Sequence, residues 1–184
     1  MISCILLSAG LSQRFTSAKA LAKLGNITVI EQIQNVLLAA GIDEIIVVLG
    51  AYVQQIKPLL LNHKQVKFVY NKDYKFGQTS SFQAGLEGIS PSTKGIMLYP
   101  VDYPVIAKET IIFIKNQFVK EMPSLLIPVY NHRKGHPPIF NARLKPDLQK
   151  LPHDQGLNSI ASKFRDDTIL FEVNDSGILE TFNT

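Results

Sequence analysis

The sequence predicts a doubly wound α/β fold, in which helices cover both faces of a mostly parallel sheet. Short β-branched runs alternate with amphipathic stretches through the first 128 residues, the pattern of strands joined by crossover helices. Three of the runs, at residues 2–7, 44–49 and 95–99, are apolar almost throughout, as expected for strands that are covered on both sides. A length of 184 residues without a linker or a repeat fits a single domain.

Five strands and three helices can be placed along this part of the chain. The predicted strands are residues 2–7, 44–49, 66–70, 95–99 and 124–128. The first helix begins at Thr28, which forms a capping box with Glu31, and it ends at Gly41. A second helix is predicted over residues 81–86, with Ser80 and Gln83 as its cap, and a third over about 108–119.

The regular alternation stops after residue 128. The following segment, up to about residue 160, holds four of the ten prolines and three of the four histidines. We therefore expect one domain over residues 1–184, built from a core over 1–128 and an irregular lobe over 129–165 that folds back on the sheet.

Composition and charge exclude several classes of protein. The net charge of +4 is modest, and the ten Phe and six Tyr have no basic clusters between them, so no nucleic-acid partner is expected. No apolar stretch reaches 18 residues and the N-terminus lacks the features of a signal peptide, so we expect a cytoplasmic protein without a membrane partner. The one cysteine, Cys4, lies within the first strand and is expected to be buried and reduced.

The loop after the first strand, "LSAGLSQRFTSAKAL" at residues 7–21, is small, polar and cationic. It is not a dinucleotide fingerprint, because Gly10 has no partner glycines, and it is not a P-loop, because no Gly-Lys-Ser/Thr follows. One interpretation is a turn whose backbone N–H groups hold a polyphosphate, with Arg14 and Lys19 adding charge and Ser8 and Ser12 adding hydroxyls. The other is an ordinary solvated loop.

The spacing Ala9-Gly10-x-Ser12-x-Arg14, followed by Lys19, resembles the signature of the MobA-like nucleotidyltransferases. The Ala-Gly form is similar to that of the molybdopterin cytidylyltransferase (MocA-like) branch, which implies CTP as the nucleotide in preference to GTP. The resemblance also implies a Rossmann-like three-layer sandwich of the nucleotide-diphospho-sugar transferase type, with residues 1–128 as the nucleotide-binding core.

Further segments resemble the family in the same order along the chain. Residues 71–86 resemble the stretch that holds the base and ribose, and Asp102 matches the family's Asp-x-Pro after a strand. "GHP", at 135–137, and Asp154-x-Gly156 resemble segments of the cytidylyltransferase branch, which implies that residues 129–165 face the acceptor.

The resemblance implies the following site residues. Arg14, Lys19 and Asp102 would be catalytic, and Asp102 and Asp154 would be ligands of Mg²⁺, which favours one or two carboxylates together with phosphate oxygens. The implied nucleotide-binding residues are Leu7, Ser8, Ala9, Gly10, Ser12, Arg14, Lys19, Asn71, Gly77, Ser80, Ser81 and Asp102. The implied acceptor-binding residues are Arg133, Lys134, Gly135, His136 and Pro137.

The implied reaction moves CMP from CTP onto the phosphate of a molybdopterin-type acceptor and releases pyrophosphate; a molybdoenzyme or its chaperone would be the protein partner. A sugar-phosphate or polyol-phosphate nucleotidyltransferase is the nearest alternative. Thr16, Val101 and His153 depart from the family pattern, and they favour a second alternative, a nucleotide- or cofactor-binding protein without turnover.

Overall fold

The computed structural model describes residues 1–11 and 18–182 of the chain. The strands in these ranges are β1 (Ile2–Ser8), β2 (Lys23–Leu24), β3 (Ile27–Thr28), β4 (Glu44–Leu49), β5 (Val66–Tyr70), β6 (Gly95–Pro100), β7 (Leu125–Tyr130), β8 (Arg133–Lys134), β9 (Ile139–Asn141) and β10 (Thr168–Glu172). The α-helices are α1 (Val29–Ala39), α2 (Val53–Ile56), α3 (Gln78–Gly88), α4 (Lys108–Glu121), α5 (Lys145–Gln149) and α6 (Asn158–Lys163).

One mixed sheet, with the strand order β10-β7-β9-β6-β1-β4-β5, forms the centre of the domain. β6, β1, β4 and β5 are parallel neighbours, and β10 is parallel to β7, whereas β9 runs antiparallel to both β6 and β7. β8 adds to β7 as a short antiparallel strand, and β2 and β3 form a separate hairpin. The predicted α/β fold with a mostly parallel sheet is confirmed.

The sheet is covered on both faces because successive side chains of its strands point to opposite sides. On one side Cys4 and Leu6 of β1 pack with α1 and α4. On the other side Ile5 and Leu7 pack with α3, α5 and α6. Burial raises the pKa of the Cys4 thiol, so this side chain is a neutral packing group, as predicted.

The ends of α1 follow the sequence prediction closely. The hydroxyl of Thr28 accepts a hydrogen bond from the N–H of Glu31, and the Glu31 carboxylate accepts the N–H of Thr28, which completes the capping box. Gly41 has φ of 68° just after the helix, and its N–H donates to the carbonyl of Leu38. A residue with a side chain is strained in that left-handed conformation, which explains the glycine.

The predicted start of the second helix was wrong. α3 begins at Gln78, and its N-cap is Gly77 with φ of 92°. Ser80 lies within the first turn, where its hydroxyl donates to the carbonyls of Gly77 and Asp73. The turn at Gly77 therefore starts the helix two residues before the serine that the sequence pattern favoured as its cap.

The lobe predicted over residues 129–165 differs from the expectation in one respect. This segment contains β8, α5 and α6, but it also contributes β9, which lies inside the sheet between β6 and β7. Part of the segment is thus built into the core instead of being folded over it. No helix in the described ranges is both long enough and apolar enough to span a membrane.

Candidate active site

A cavity of about 390 Å³ opens where β1 and β6 end side by side. The carboxyl ends of neighbouring parallel strands share one edge of the sheet, and ligands of open α/β folds bind there. Most of the predicted nucleotide-binding residues are brought together at this cavity. Those that line it are Leu7, Ser8, Ala9, Gly10, Lys19, Gly77, Ser81 and Asp102.

Lys19 and Asp102 form an ion pair in the cavity wall. The distance from Lys19 Nζ to Asp102 Oδ2 is 3.5 Å, and 18% and 30% of the two side chains are exposed. Lys19 begins a 3₁₀ turn (Lys19–Leu21) that is fixed by the buried Ala20, and Asp102 lies two residues after Pro100, the last residue of β6. Both side chains therefore border the cavity, where the Lys19 ammonium suits an anionic ligand and the Asp102 carboxylate suits a cation.

Ser8, the last residue of β1, supplies a polar atom that the described part of the protein leaves unsatisfied. Its Oγ is buried and has no hydrogen-bond partner among the described residues. Buried hydroxyls are nearly always paired, so an orphaned one calls for an explanation. Since Ser8 lines the cavity, a bound ligand can provide that partner.

The first turn of α3 also faces the cavity, where it is lined by Gly77, Gln78 and Ser81. The first N–H groups of a helix lack partners within the helix and carry a partial positive charge, which suits a phosphate. Asn71 and Ser80 are not among the lining residues. Asn71 Nδ2 donates to the hydroxyls of Ser80 (3.2 Å) and Ser81 (3.1 Å). Asn71 and Ser80 are both buried, and these hydrogen bonds hold the first turn of α3 in place. Their direct contact with a nucleotide stays a prediction.

Gly50, which the sequence analysis missed, shapes the same loop. A Cβ on Gly50 would lie 2.4 Å from the carbonyl oxygen of Ala9 and 2.8 Å from Cβ of Tyr74. The N–H of Ala51 donates to the same Ala9 carbonyl, at 3.2 Å. The residues after β4 thus pack closely against the loop after β1. A glycine directly after an apolar strand is the sequence signal that could have indicated this contact.

A second, larger cavity of about 700 Å³ lies against β6, β7 and β9. Lys134, Gly135 and His136 of the predicted acceptor set line it, as does Gly156. The cavity has an apolar floor, formed by Leu98, Leu125, Ile127 and Phe140. Three other lining residues were not predicted as site residues: Tyr103, Asn158 and Arg165. Gln78 lines both cavities, so the two spaces adjoin at the start of α3.

The charge of Asp102, in the smaller cavity, affects the pKa values of His136 and Tyr103, which line the larger cavity. Their ring centroids are 4.6 Å apart, and the Nδ1 atom of His136 is buried without a hydrogen-bond partner in the described residues. Burial lowers the pKa of His136, and the charge of Asp102 opposes that shift. Burial also raises the pKa of Tyr103, and Asp102 adds to the rise. Asp102 therefore acts electrostatically on two residues of the larger cavity as well as on Lys19.

Several predicted site residues lie elsewhere. Arg133 is exposed in β8, Pro137 is buried, and neither lines either cavity. Asp154 is exposed in a turn and lines neither cavity, so a role as a metal ligand stays a prediction. Ser12 and Arg14 lie outside the described residues, as does the departure at Thr16.

The side chains around Asp102 suit a cation that takes only one or two ligands from the protein. No group of three or more His, Cys, Asp or Glu side chains that could hold a metal occurs in residues 1–11 and 18–182. A closed structural metal site is thus not formed by these residues, since such sites use four protein ligands. Mg²⁺ is commonly held by one or two carboxylates and completes its shell with water and substrate phosphates, and the half-exposed Asp102 suits that arrangement.

Comparisons with known proteins bear on the family and the fold of the chain. The family model described as MobA-like NTP transferase domain matches residues 4–168. Nicotine blue oxidoreductase from Paenarthrobacter nicotinovorans is 27% identical over 154 residues, which cover 79% of this chain and 73% of that protein.

Solved structures share the fold. Rv0371c from Mycobacterium tuberculosis superposes with a TM-score of 0.80 and 25% identity over 94% of this chain and 87% of that one. A structure of Rv0371c in complex with manganese has a TM-score of 0.76 and 24% identity over the same shares of the two chains. A nucleotidyl transferase from Methanothermobacter has a TM-score of 0.78 and 23% identity, and the match covers 95% of this chain and 88% of that one. The chain belongs to the MobA-like NTP transferase family.

Proposed function

We propose that the protein transfers CMP from CTP onto a phosphate group of a molybdopterin-type acceptor and releases pyrophosphate. The observation that carries the proposal is the ion pair of Lys19 and Asp102 in the smaller cavity, which adjoins a larger cavity lined by Lys134 and His136. Two adjoining spaces, one with phosphate-binding features and one with an apolar floor, suit a donor nucleotide and an organic acceptor. The resemblance of Ala9-Gly10 to the cytidylyltransferase branch supports CTP.

The smaller cavity offers three features that bind a triphosphate. Lys19 adds a positive charge, the first turn of α3 lines the cavity at a helix N-terminus, and Ser8 adds a hydroxyl. A Cβ added at Gly10 would meet no described atom within 4 Å, so packing against residues 1–11 and 18–182 does not require a glycine there. Close approach of a ligand to the backbone would explain it.

The larger cavity suits an acceptor that is apolar in its body and anionic at one end. Leu98, Ile127 and Phe140 provide the surface for an uncharged part. Lys134 provides a charge that would hold a phosphate at the side of the cavity that His136 lines. The acceptor phosphate would then face the α-phosphate of the nucleotide across the boundary marked by Gln78.

In the proposed reaction an oxygen of the acceptor phosphate attacks the α-phosphorus of CTP. The bond from the α-phosphorus to the oxygen bridging to the β-phosphate breaks, and pyrophosphate leaves with the electron pair. Asp102 would hold Mg²⁺, which supplies charge neutralisation at the phosphates when it is bound. Lys19, which contacts Asp102, would neutralise the negative charge that grows on the leaving pyrophosphate.

Most of the rate enhancement would come from alignment and electrostatics, because an acceptor phosphate is already ionised at neutral pH and needs no strong base. This accounts for a site with one carboxylate, one half-buried histidine and several donors. Rv0371c has been solved in complex with manganese, and Mn²⁺ shares the preference of Mg²⁺ for oxygen ligands.

Three other functions are alternatives to this proposal. The polyol- or sugar-phosphate alternative uses the same smaller cavity with a different acceptor. A binding protein without turnover is favoured by Val101, which departs from the family pattern and lines the nucleotide cavity. An oxidoreductase activity is favoured only by the similarity to nicotine blue oxidoreductase, at 27% identity.

Pyrophosphate release with CTP, GTP, ATP or UTP, Mg²⁺ and a molybdopterin acceptor tests the proposal. We expect release with CTP, and a loss of about 100-fold or more in Asp102→Asn. Asp147→Asn is the matched control, because Asp147 also pairs with a lysine, Lys163, but lines neither cavity.

Each alternative has its own result in the same experiment. Release with a sugar phosphate or polyol phosphate alone would favour the first alternative, and thermal stabilisation by CTP without release would favour the second. A redox reaction without pyrophosphate release would favour the third.

A further inference from the structure

The last described residues of the chain form a segment that holds together the two sides of the site. This segment, residues 174–182, is named the C-terminal strap here. It follows β10 and lies beyond residues 4–168, which are the part matched by the family model. The strap is joined to the domain at three places, and two of them are loops of the candidate active site.

The first attachment is the carboxylate of Asp175, at the beginning of α4. Asp175 Oδ2 accepts hydrogen bonds from the N–H of Ala107 at 3.0 Å and from the hydroxyl of Thr110 at 2.6 Å. Asp175 Oδ1 accepts the N–H of Gly177 at 2.8 Å, which bends the strap into a 3₁₀ turn (Ser176–Ile178). One carboxylate thus fixes both the helix start and the course of the strap.

The second attachment is Ile178, which holds the acceptor-side loop. Its side chain is fully buried, and its carbonyl accepts the N–H of His136 at 3.0 Å. A Cβ on Gly135 would lie 2.6 Å from that carbonyl oxygen and 2.7 Å from the Ile178 side chain. The close fit explains why a glycine precedes His136, and it leaves the loop little room to shift.

The third attachment is at the nucleotide side. The N–H of Phe182 donates to the carbonyl oxygen of Asp102 at 2.7 Å. The main chain of Asp102 is therefore held by the strap just where its side chain meets Lys19. Only three residues of the strap separate this attachment from Ile178.

We propose that the C-terminal strap is a positioning element, which sets the distance between Asp102 on the nucleotide side and His136 on the acceptor side. The inference rests on the proposed transfer reaction, whose rate depends on the alignment of two bound phosphates. A displacement of about 1 Å between reacting groups can cost about 100-fold in rate. The strap restrains both loops by backbone hydrogen bonds, so its effect should not depend on the identity of its exposed side chains.

A pair of variants at one position separates the backbone bond from the side chain. Phe182→Pro removes the N–H that binds the Asp102 carbonyl, whereas Phe182→Ala keeps it. We expect the kcat for pyrophosphate release to fall about 10-fold in Phe182→Pro, with the KM for CTP within about 2-fold of the wild type. Phe182→Ala should retain most of the kcat. A chain that ends at Glu180 should behave like Phe182→Pro.

Hydrogen exchange, followed by mass spectrometry, gives a readout that does not need activity. Exchange in peptides that cover residues 101–103 and 135–136 should speed up in Phe182→Pro and in the shortened chain, but not in Phe182→Ala. A strap that serves only folding would lower the unfolding midpoint and leave the kcat of the folded protein unchanged, and that result would overturn the inference.

The same exchange measurement separates failure of the strap from failure of the proposed function. If the wild type releases no pyrophosphate from any nucleotide, the transfer reaction is wrong, while faster exchange in Phe182→Pro would still support the restraint of Asp102. Unchanged exchange in both loops, together with an unchanged kcat in an active enzyme, would refute the strap alone.

Discussion

Replacement of Lys19 by methionine should separate catalysis from stability. Methionine keeps most of the apolar stem of lysine and removes the charge, so packing around the 3₁₀ turn is preserved. The charge that is lost lies 3.5 Å from Asp102 Oδ2. We expect pyrophosphate release to slow by about 100-fold or more, as is common when one preorganised electrostatic donor is removed.

The expected effect on folding is much smaller. At 3.5 Å the attraction of two unit charges is about 1 kcal/mol in water and about 5 kcal/mol at the effective dielectric constant near a protein surface. Desolvation of the two charges offsets most of this gain, and partly exposed pairs contribute about 0–1 kcal/mol to stability. A loss of about 1 kcal/mol from a total of about 5–15 kcal/mol leaves more than about 99% of the molecules folded. Unfolding therefore cannot account for a 100-fold loss of turnover, which corresponds to about 2.7 kcal/mol in the transition state.

Steady-state pyrophosphate release and urea unfolding should be measured on the same preparations of Lys19→Met and the wild type. Lys120→Met is the matched control, because Lys120 forms an ion pair with Glu121 at 3.2 Å on the surface of α4. It should leave both turnover and stability close to the wild type. Near-normal turnover in Lys19→Met, or a loss of activity that merely follows the unfolded fraction, would refute the role of Lys19 in the reaction.

Three further predictions concern single side chains of the site. Ser8→Ala should leave the free energy of unfolding nearly unchanged, since the hydroxyl has no partner in the described residues, and raise the KM for CTP about 2- to 10-fold. Gly50→Ala should lower the free energy of unfolding by about 1–3 kcal/mol and weaken CTP binding in a thermal-shift assay, because the new Cβ displaces Ala9. Burial lowers the pKa of His136 below 6.5 in the folded protein, so this histidine binds a proton more readily in the unfolded chain. The free energy of unfolding should therefore fall as the pH drops from about 6.5. His136→Gln should lose this part of the pH dependence in urea unfolding.

Each of these predictions has a control and a contrary result. A stability loss above about 1 kcal/mol in Ser8→Ala would mean that the hydroxyl is bound within the protein. Gly156→Ala, where a Cβ meets no described atom within 4 Å, should retain the wild-type unfolding midpoint. His63→Gln changes an exposed histidine and should keep the wild-type pH dependence; if His136→Gln keeps it too, burial of His136 does not affect stability between pH 5 and 6.5.

The gathering of Ser8 and Asp102 at the smaller cavity could be predicted because these residues follow strands whose direction the sequence reveals. Ser8 ends one apolar run and Asp102 comes directly after another, and parallel neighbours place their carboxyl ends together. Gly77 and Ser81 were reached through a resemblance that covers a strand, a turn and a helix. Asn71 was predicted from the same segment, but the structure assigns it to the anchoring of that turn.

Other parts of the site left no comparable signal. β9 is three residues long and follows two prolines, too short for a period of two to be recognised. Arg165 reaches the larger cavity from a short turn, and Gln78 does so as the first residue of a helix whose start was misplaced. Neither position carries a spacing that distinguishes it from an exposed polar residue.

The sequence by itself determined the order of the five main strands and three main helices up to residue 128, and the two-sided burial of the sheet. It also predicted a polar, cationic loop after β1. These follow from local periodicity, from caps and from a spaced motif, all of which act over a few residues. Only the tertiary structure decided that β9 enters the sheet and that Phe182 holds Asp102, a hydrogen bond between residues 80 positions apart. Such contacts depend on how the whole chain closes on itself, because packing across the domain selects them and no local pattern encodes them.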